Sequence, residues 1–89
     1  MEMKDIIART KKQLANSTGL KPEGVTRAFR DDQGWHVGVE VLEMSRIPTA
    51  TDVLGDYEVV LDENGSMLRF ERKRTRLRGE PMEEEGELE

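Results

Sequence analysis

From Trp35 to Val41 apolar and polar positions alternate without a break. Trp35, Val37, Val39 and Val41 fall on one side of an extended chain, and His36, Gly38 and Glu40 on the other. A period of two marks a strand with one buried and one wet face, which predicts a central strand over 35–46. Pro48 has no backbone N–H to give to a ladder, so pairing should end near Arg46 or Ile47. Residues 2–17 follow a helical period instead. Met3, Ile6, Ile7 and Leu14 gather around Thr10, while Lys4, Arg9, Lys11 and Lys12 take the opposite side. Gly19, after the weak helix formers Asn16, Ser17 and Thr18, supplies the stop. A helix this short is marginal alone in water, so it is expected to dock on the sheet or on another protein.

Lys21-Pro22-Glu23-Gly24 reads as a turn, followed by a first strand over 25–30. Strict alternation puts Val25, Arg27 and Phe29 on one face and Thr26, Ala28 and Arg30 on the other. Arg27 then interrupts the apolar row, which an edge strand tolerates. Asp31-Asp32-Gln33-Gly34 turns the chain back into the Trp35 strand. Residues 49–55 form a connection with at most one helical turn, begun at Thr49 or Thr51 and stopped by Gly55. A third strand is expected over 57–62, with Tyr57, Val59 and Leu61 inward. Asn64-Gly65 then makes a tight hairpin turn. The fourth strand, 66–76, points Leu68 and Phe70 inward, after which the same parity falls on Arg72 and Arg74, as at an edge guarded by charge. The expected fold is α+β: an N-terminal amphipathic helix packed on a small antiparallel sheet of three to four strands built from two hairpins. Its core is Trp35, Val39, Tyr57, Val59, Leu61 and Phe70.

Composition sharpens this picture. In a chain of 89 residues, 37% charged and 35% hydrophobic, a single small core is possible only if charge is kept to surfaces and a tail. Six of the 19 acidic residues lie between Glu80 and Glu89. The net charge of −5 therefore belongs to an acidic tail over 80–89, expected to be disordered, and the domain over 1–79 is near neutral. The absence of cysteine excludes disulfides, thiolate nucleophiles and cysteine-bound zinc. No apolar run has membrane-spanning length and the N-terminus is unlike a secretory signal, so a cytoplasmic protein that does not enter a membrane is expected.

Catalytic chemistry finds little purchase. The single histidine, His36, falls on the wet face of its strand, where an exposed structural role is expected. Glu40, Glu43, Asp52, Asp56 and Glu58 fit cross-strand pairing with arginines better than general acid/base work. No phosphate-cradling glycine motif, nucleophile constellation or metal-ligand spacing is present, so neither cofactor nor enzymatic activity is expected. Residues 69–78 hold six basic side chains and one acidic one, suited to phosphate or carboxylate. A regulatory nucleic-acid binder acting through Arg69 to Arg78 is the alternative function. It is disfavoured by the scarcity of aromatics and by the glutamates nearby.

Three longer series carry a resemblance. Trp35-x-Val37-x-Val39-Glu40-Val41-x-Glu43-x-x-Arg46-Ile47-Pro48 is followed by Asp52-Val53-Leu54-x-x-Tyr57-Glu58-Val59 and by Asp62-x-x-Gly65-x-x-x-x-Phe70-x-Arg72-x-x-Arg76. In these residues the chain resembles the GvpO family of gas vesicle accessory proteins. Leu77 departs from the aromatic expected there, and the acidic tail is an extension. The resemblance implies a non-enzymatic protein needed to form gas vesicles, cytoplasmic or associated with the vesicles. It also implies other gas vesicle proteins as partners, among them a GvpN-like ATPase and, as a candidate, the shell protein. The chain itself is expected to be a monomer or a weak dimer. Glu40, Glu43, Arg46, Arg72, Arg74 and Arg76 are the candidate partner interface, and serine at the last three is expected to weaken capture while sparing the fold.

Overall fold

The computed structural model describes residues 2–80. Helix α1 (Met3–Thr18) precedes four strands, β1 (Lys21–Asp31), β2 (Gly34–Met44), β3 (Val53–Leu61) and β4 (Met67–Leu77), with a 3-10 turn at Thr49–Thr51. The strands form one antiparallel meander in the order β1-β2-β3-β4. The fold is thus α+β. Its least dimension, 20 Å, accommodates the sheet and one helix layer and leaves the other sheet face without a second layer. Among the described residues no helix is long and apolar enough to cross a membrane.

The helix docks as its period requires. Ile6, Thr10 and Leu14, successive turns on one stripe, are fully buried. Thr10 disposes of its buried hydroxyl by donating to the Ile6 carbonyl at 2.6 Å. Gly19 closes the helix at φ 75°, its N–H donating to Ala15 O at 2.8 Å. An unforeseen clamp is Gln13. Its Nε2 donates to Gly65 O at 2.8 Å and its Oε1 accepts the Met67 N–H at 2.9 Å, fixing the helix to the β3–β4 hairpin. Val37, Val39, Val41, Val59 and Leu61 complete the cluster with Ile6 and Leu14. Trp35 and Tyr57 pack against it half-buried, and Arg30 lies over the Trp35 ring.

Three bulges alter the expected face assignments. Val25 pairs with Val39 and Arg27 with Gly38, so Thr26 is an extra residue and parity switches there. Val25 and Ala28 consequently share the helix side, and Arg27 and Phe29 the opposite side. This resolves the apparent interruption of the apolar row. In β4, Leu61 pairs with Met67 and Val60 with Arg69, making Leu68 the extra residue. Met67 therefore packs on the core while Leu68 is 55% exposed. Phe70 does face the helix side, tilted against Tyr57 at 6.0 Å, but remains 39% exposed because it sits on the edge strand. A third bulge, at Lys73, places Arg72 on the helix side and Arg74 and Arg76 on the other.

The remaining boundaries also shift. Lys21 to Gly24, expected as a turn, belongs to β1 with Glu23 bulged. Val53 to Gly55, expected as connection, is already strand together with Asp56, since β2 and β4 pair with them on both sides and override the poor strand propensity of Gly55 and Asp56. The helical turn is the 3-10 turn, which ends at Asp52 and not at Gly55. Residues 81–89 of the expected tail lie outside the described residues. Glu80 is described and donates its N–H to Leu77 O at 3.0 Å.

Candidate functional site

The sheet face away from the helix was expected to be wet. It is instead sealed by its own charges. Glu40 is 8% exposed, Asp56 4% and His36 7%, and the apolar Leu54 and Val60 are equally hidden. Among the described residues no helix or second sheet covers them. Arg76 stands opposite Leu54 and Arg69 opposite Val60, so their aliphatic stems lie over the apolar positions while their heads reach carboxylates or solvent.

Glu40 and Arg76 form the tightest pair. Nε donates to Oε2 at 2.6 Å and Nη2 to Oε1 at 2.9 Å, a two-pronged match that raises the Arg76 pKa through the Glu40 hydrogen bonds. Asp56 accepts from Thr26 Oγ1 at 3.2 Å and Arg27 Nη1 at 3.4 Å, and Arg74 Nε stands 3.7 Å away. The Arg27 guanidinium reaches this carboxylate by crossing Gly38, where a β-carbon would lie 2.6 Å from its Nη1. Gly38 is therefore a gap that lets an edge-strand arginine lie flat over the central strand. Next along this face, His36 stacks beneath Phe29 at 4.7 Å. Its Nε2 is 2.9 Å from Asp31 Oδ1, while Nδ1 is 3.5 Å from Glu58 and outside hydrogen-bond geometry. The expectation of an exposed histidine fails because the bulge at Thr26 swings Phe29 over it.

On the helix side a smaller group repeats the device. Glu43 lies over Gly55, where a β-carbon would come within 2.2 Å of its Oε2. It accepts from Arg72 Nη1 at 2.9 Å and from the Tyr57 hydroxyl at 3.3 Å. Burial, with Glu43 close by, raises the Tyr57 pKa.

The third group sits where β2 passes to β3. Asp52, 4% exposed, accepts the Arg46 N–H on Oδ1 at 2.7 Å and Arg78 Nε on Oδ2 at 3.0 Å, and Arg78 also reaches Glu23 at 3.3 Å. The Arg46 N–H, with Arg78 beside it, holds the Asp52 carboxyl below the usual range. Asp31 is lowered likewise, first by the Gln33 N–H and then by His36. An acid with a depressed folded pKa adds stability above its unfolded pKa of about 4 and loses it as pH falls through the folded value. The urea midpoint should therefore fall on acidification below about pH 4. Asp52→Asn should lower it at neutral pH and make the acid loss shallower. An unchanged acid limb in that variant would remove Asp52 from the account.

Of the six residues expected to meet a partner, five are thus engaged in ion pairs within the chain. Glu40 binds Arg76, Glu43 binds Arg72, and Arg74 lies beside Asp56. They occupy two faces and not one. Serine at Arg72, Arg74 and Arg76 would take both guanidinium bonds from the buried Glu40 and leave Asp56 with Thr26 and Arg27 alone, so that variant reports stability before it reports binding. Arg46 differs in having no ion pair among the described residues, its Nε donating to Met44 Sδ at 3.4 Å. Asp52 and Asp56, expected to pair with arginines, do so with Arg78 and with Arg27 and Arg74, while the reach of Arg27 and the gaps at the two central glycines were not foreseen. The usable signal was the recurrence of acids at the outer parity of β2 and β3, facing the arginines of β4. Among the described residues no group of three or more His, Asp or Glu is placed to hold a metal ion.

A helix on one face of a four-stranded antiparallel sheet, with arginine–carboxylate pairs laid across the other, defines a small α+β scaffold. The chain belongs to the family described as "Gas vesicle synthesis protein GvpO", whose model matches residues 1–82. It is 42% identical over 67 residues to Gas vesicle protein O of a Streptomyces species, covering 75% of this chain and 52% of the relative. It is 37% identical over 62 residues to Gas vesicle protein O1 of Halobacterium salinarum, covering 70% and 52%. A third relative, Gas vesicle protein O of Haloferax mediterranei, is 37% identical over 51 residues, covering 57% of this chain and 36% of its own length. The chain thus spans about half the length of the first two relatives. No solved structure matches it.

Proposed function

We propose that this chain is a non-enzymatic accessory factor in gas vesicle formation, an adaptor that holds or delivers other gas vesicle proteins during assembly. The observation that carries this is family membership over nearly the whole chain. The geometry supports it, because His36 and the buried carboxylates are spent on intramolecular contacts and the surface is left for recognition. A shell subunit that must exclude water from a gas space is apolar and aggregation-prone before assembly, and a charged, folded carrier meets that need. A GvpN-like ATPase is the partner proposed to supply the energy of assembly, with the protein acting in the cytoplasm or on the growing vesicle.

The test is co-purification of tagged protein from cells expressing the whole gas vesicle gene set, with nuclease and at two salt concentrations. Shell or ATPase-like proteins should be recovered despite nuclease. Recovery of nucleic acid alone, lost with salt, would move the function to regulation. In cells lacking this gene, gas vesicles should fail to form and return when it is supplied. Normal vesicles in the deletion strain would sink the proposal.

A further inference from the structure

The connection between β2 and β3 holds an apolar side chain fully in water on a backbone with little freedom. Ile47 is 99% exposed and Met44, the last residue of β2, 52%. The loop around them is braced at every step. The Arg46 N–H is fixed on Asp52, and Thr51 donates both its N–H at 2.9 Å and its hydroxyl at 2.7 Å to Pro48 O. Asp52 N–H donates to Thr49 O at 2.9 Å. The Arg78 and Gly79 N–H groups reach back from the end of β4 to Asp52 O at 2.9 Å and Ala50 O at 2.8 Å. Asp52, the hub, is itself locked by Arg78. These bonds order the loop without giving Ile47 anything to pack on.

We infer that Ile47, next to Arg46, is the anchor by which this chain docks a protein partner, entering an apolar pocket whose rim carries a carboxylate. This rests on the adaptor function above and names its contact. Three properties fit an anchor. It is apolar and fully solvated, so nearly all its surface is available for burial. It is pre-ordered, so binding loses little loop entropy. Its neighbour Arg46 has no ion pair among the described residues, only its Nε bond to Met44 Sδ at 3.4 Å, so a partner carboxylate would complete it, and arginine is enriched where binding energy concentrates.

A second copy of this chain is the poorer occupant. A symmetric contact through Ile47 would bring two Arg46 guanidinium groups of like charge together. The pocket on the open sheet face, lined by Glu58, Val60, Arg69, Phe70, Glu71 and Lys73, is charged and offers isoleucine no apolar socket. A membrane is disfavoured because one isoleucine and one methionine bury too little to hold a protein of this size on lipid.

The experiment compares wild type, Ile47→Asp and Arg46→Glu in the co-purification above, with a photo-crosslinking residue placed at 47 and, as control, at the exposed position 12. Thermal melts should match wild type within a few degrees for Ile47→Asp, since the side chain touches no core. Capture of the gas vesicle partner should fall about thirtyfold for Ile47→Asp and about tenfold for Arg46→Glu. The position-47 crosslink should fall on that same partner and the position-12 probe should not. Capture by Ile47→Asp equal to wild type would overturn the anchor and leave the adaptor function standing. So would a crosslink to a second copy, or to residues 81–89 of the same chain. Failure of wild type to capture any gas vesicle protein would remove the adaptor function and the anchor with it.

Discussion

Gly34→Ala is expected to destabilise the protein by about 3 kcal/mol or more, lowering its melting temperature by more than about 12 °C. Gly34 ends the β1–β2 turn at φ 127°, a region closed to L side chains, and a β-carbon there would lie 2.2 Å from Leu61 O. The obstacle is backbone, so no rotamer change relieves it. Moving β3 away would open the pairing of Trp35 with Leu61 and the end of the core beneath it. Gly24→Ala is the matched control. Nothing lies within 4 Å of its β-carbon and its φ is ordinary, so the change should stay within about 0.5 kcal/mol. Urea unfolding of both variants decides the matter, and equal midpoints would show that the turn tolerates a side chain.

Gly34 also marks the limit of what was legible in the chain. Its turn could be read from Asp31 to Gly34, as could the helix stripe, the Asn64-Gly65 hairpin and the four-strand plan, because each follows from local periodicity or turn chemistry. The bulges could not. A single extra residue at Thr26, Leu68 or Lys73 reverses every face assignment beyond it, and nothing in local composition announces which residue is unpaired. Arg27 therefore read as a blemish in an apolar row and is a lid on Asp56. Arg72 read as one surface with Arg74 and Arg76 and lies on the other side of the sheet. Val53 to Gly55 read as loop because only the pairing on both sides makes it strand. The parity of Glu40 and His36 was correct, but their burial depends on side chains from other strands, which alternation along β2 cannot show.

Breaking the Glu40–Arg76 pair from either end should give unequal losses. Arg76→Ala leaves the Glu40 carboxylate, 8% exposed, with neither of its guanidinium bonds, and is expected to cost about 3 kcal/mol. Glu40→Ala should cost less, about 1–2 kcal/mol. Arg76 is partly exposed and keeps its Nη1 bond to Glu80 O at 2.6 Å, so its charge retains a partner and water. Replacing both by leucine extends the apolar patch of Leu42 and Leu54 and should return to within about 1 kcal/mol of wild type, since a matched apolar pair avoids the desolvation of two charges. Urea unfolding at neutral pH measures all three. A cost below about 0.5 kcal/mol for Arg76→Ala would make the pair an ordinary surface contact. The double leucine variant then separates scaffold from recognition. If it folds as expected and still captures gas vesicle partners, the charged face serves to seal a one-layer sheet, and recognition lies with the Arg46–Ile47 loop. If it folds but no longer captures them, the pair itself is read by the partner and the ion-paired face is the interface.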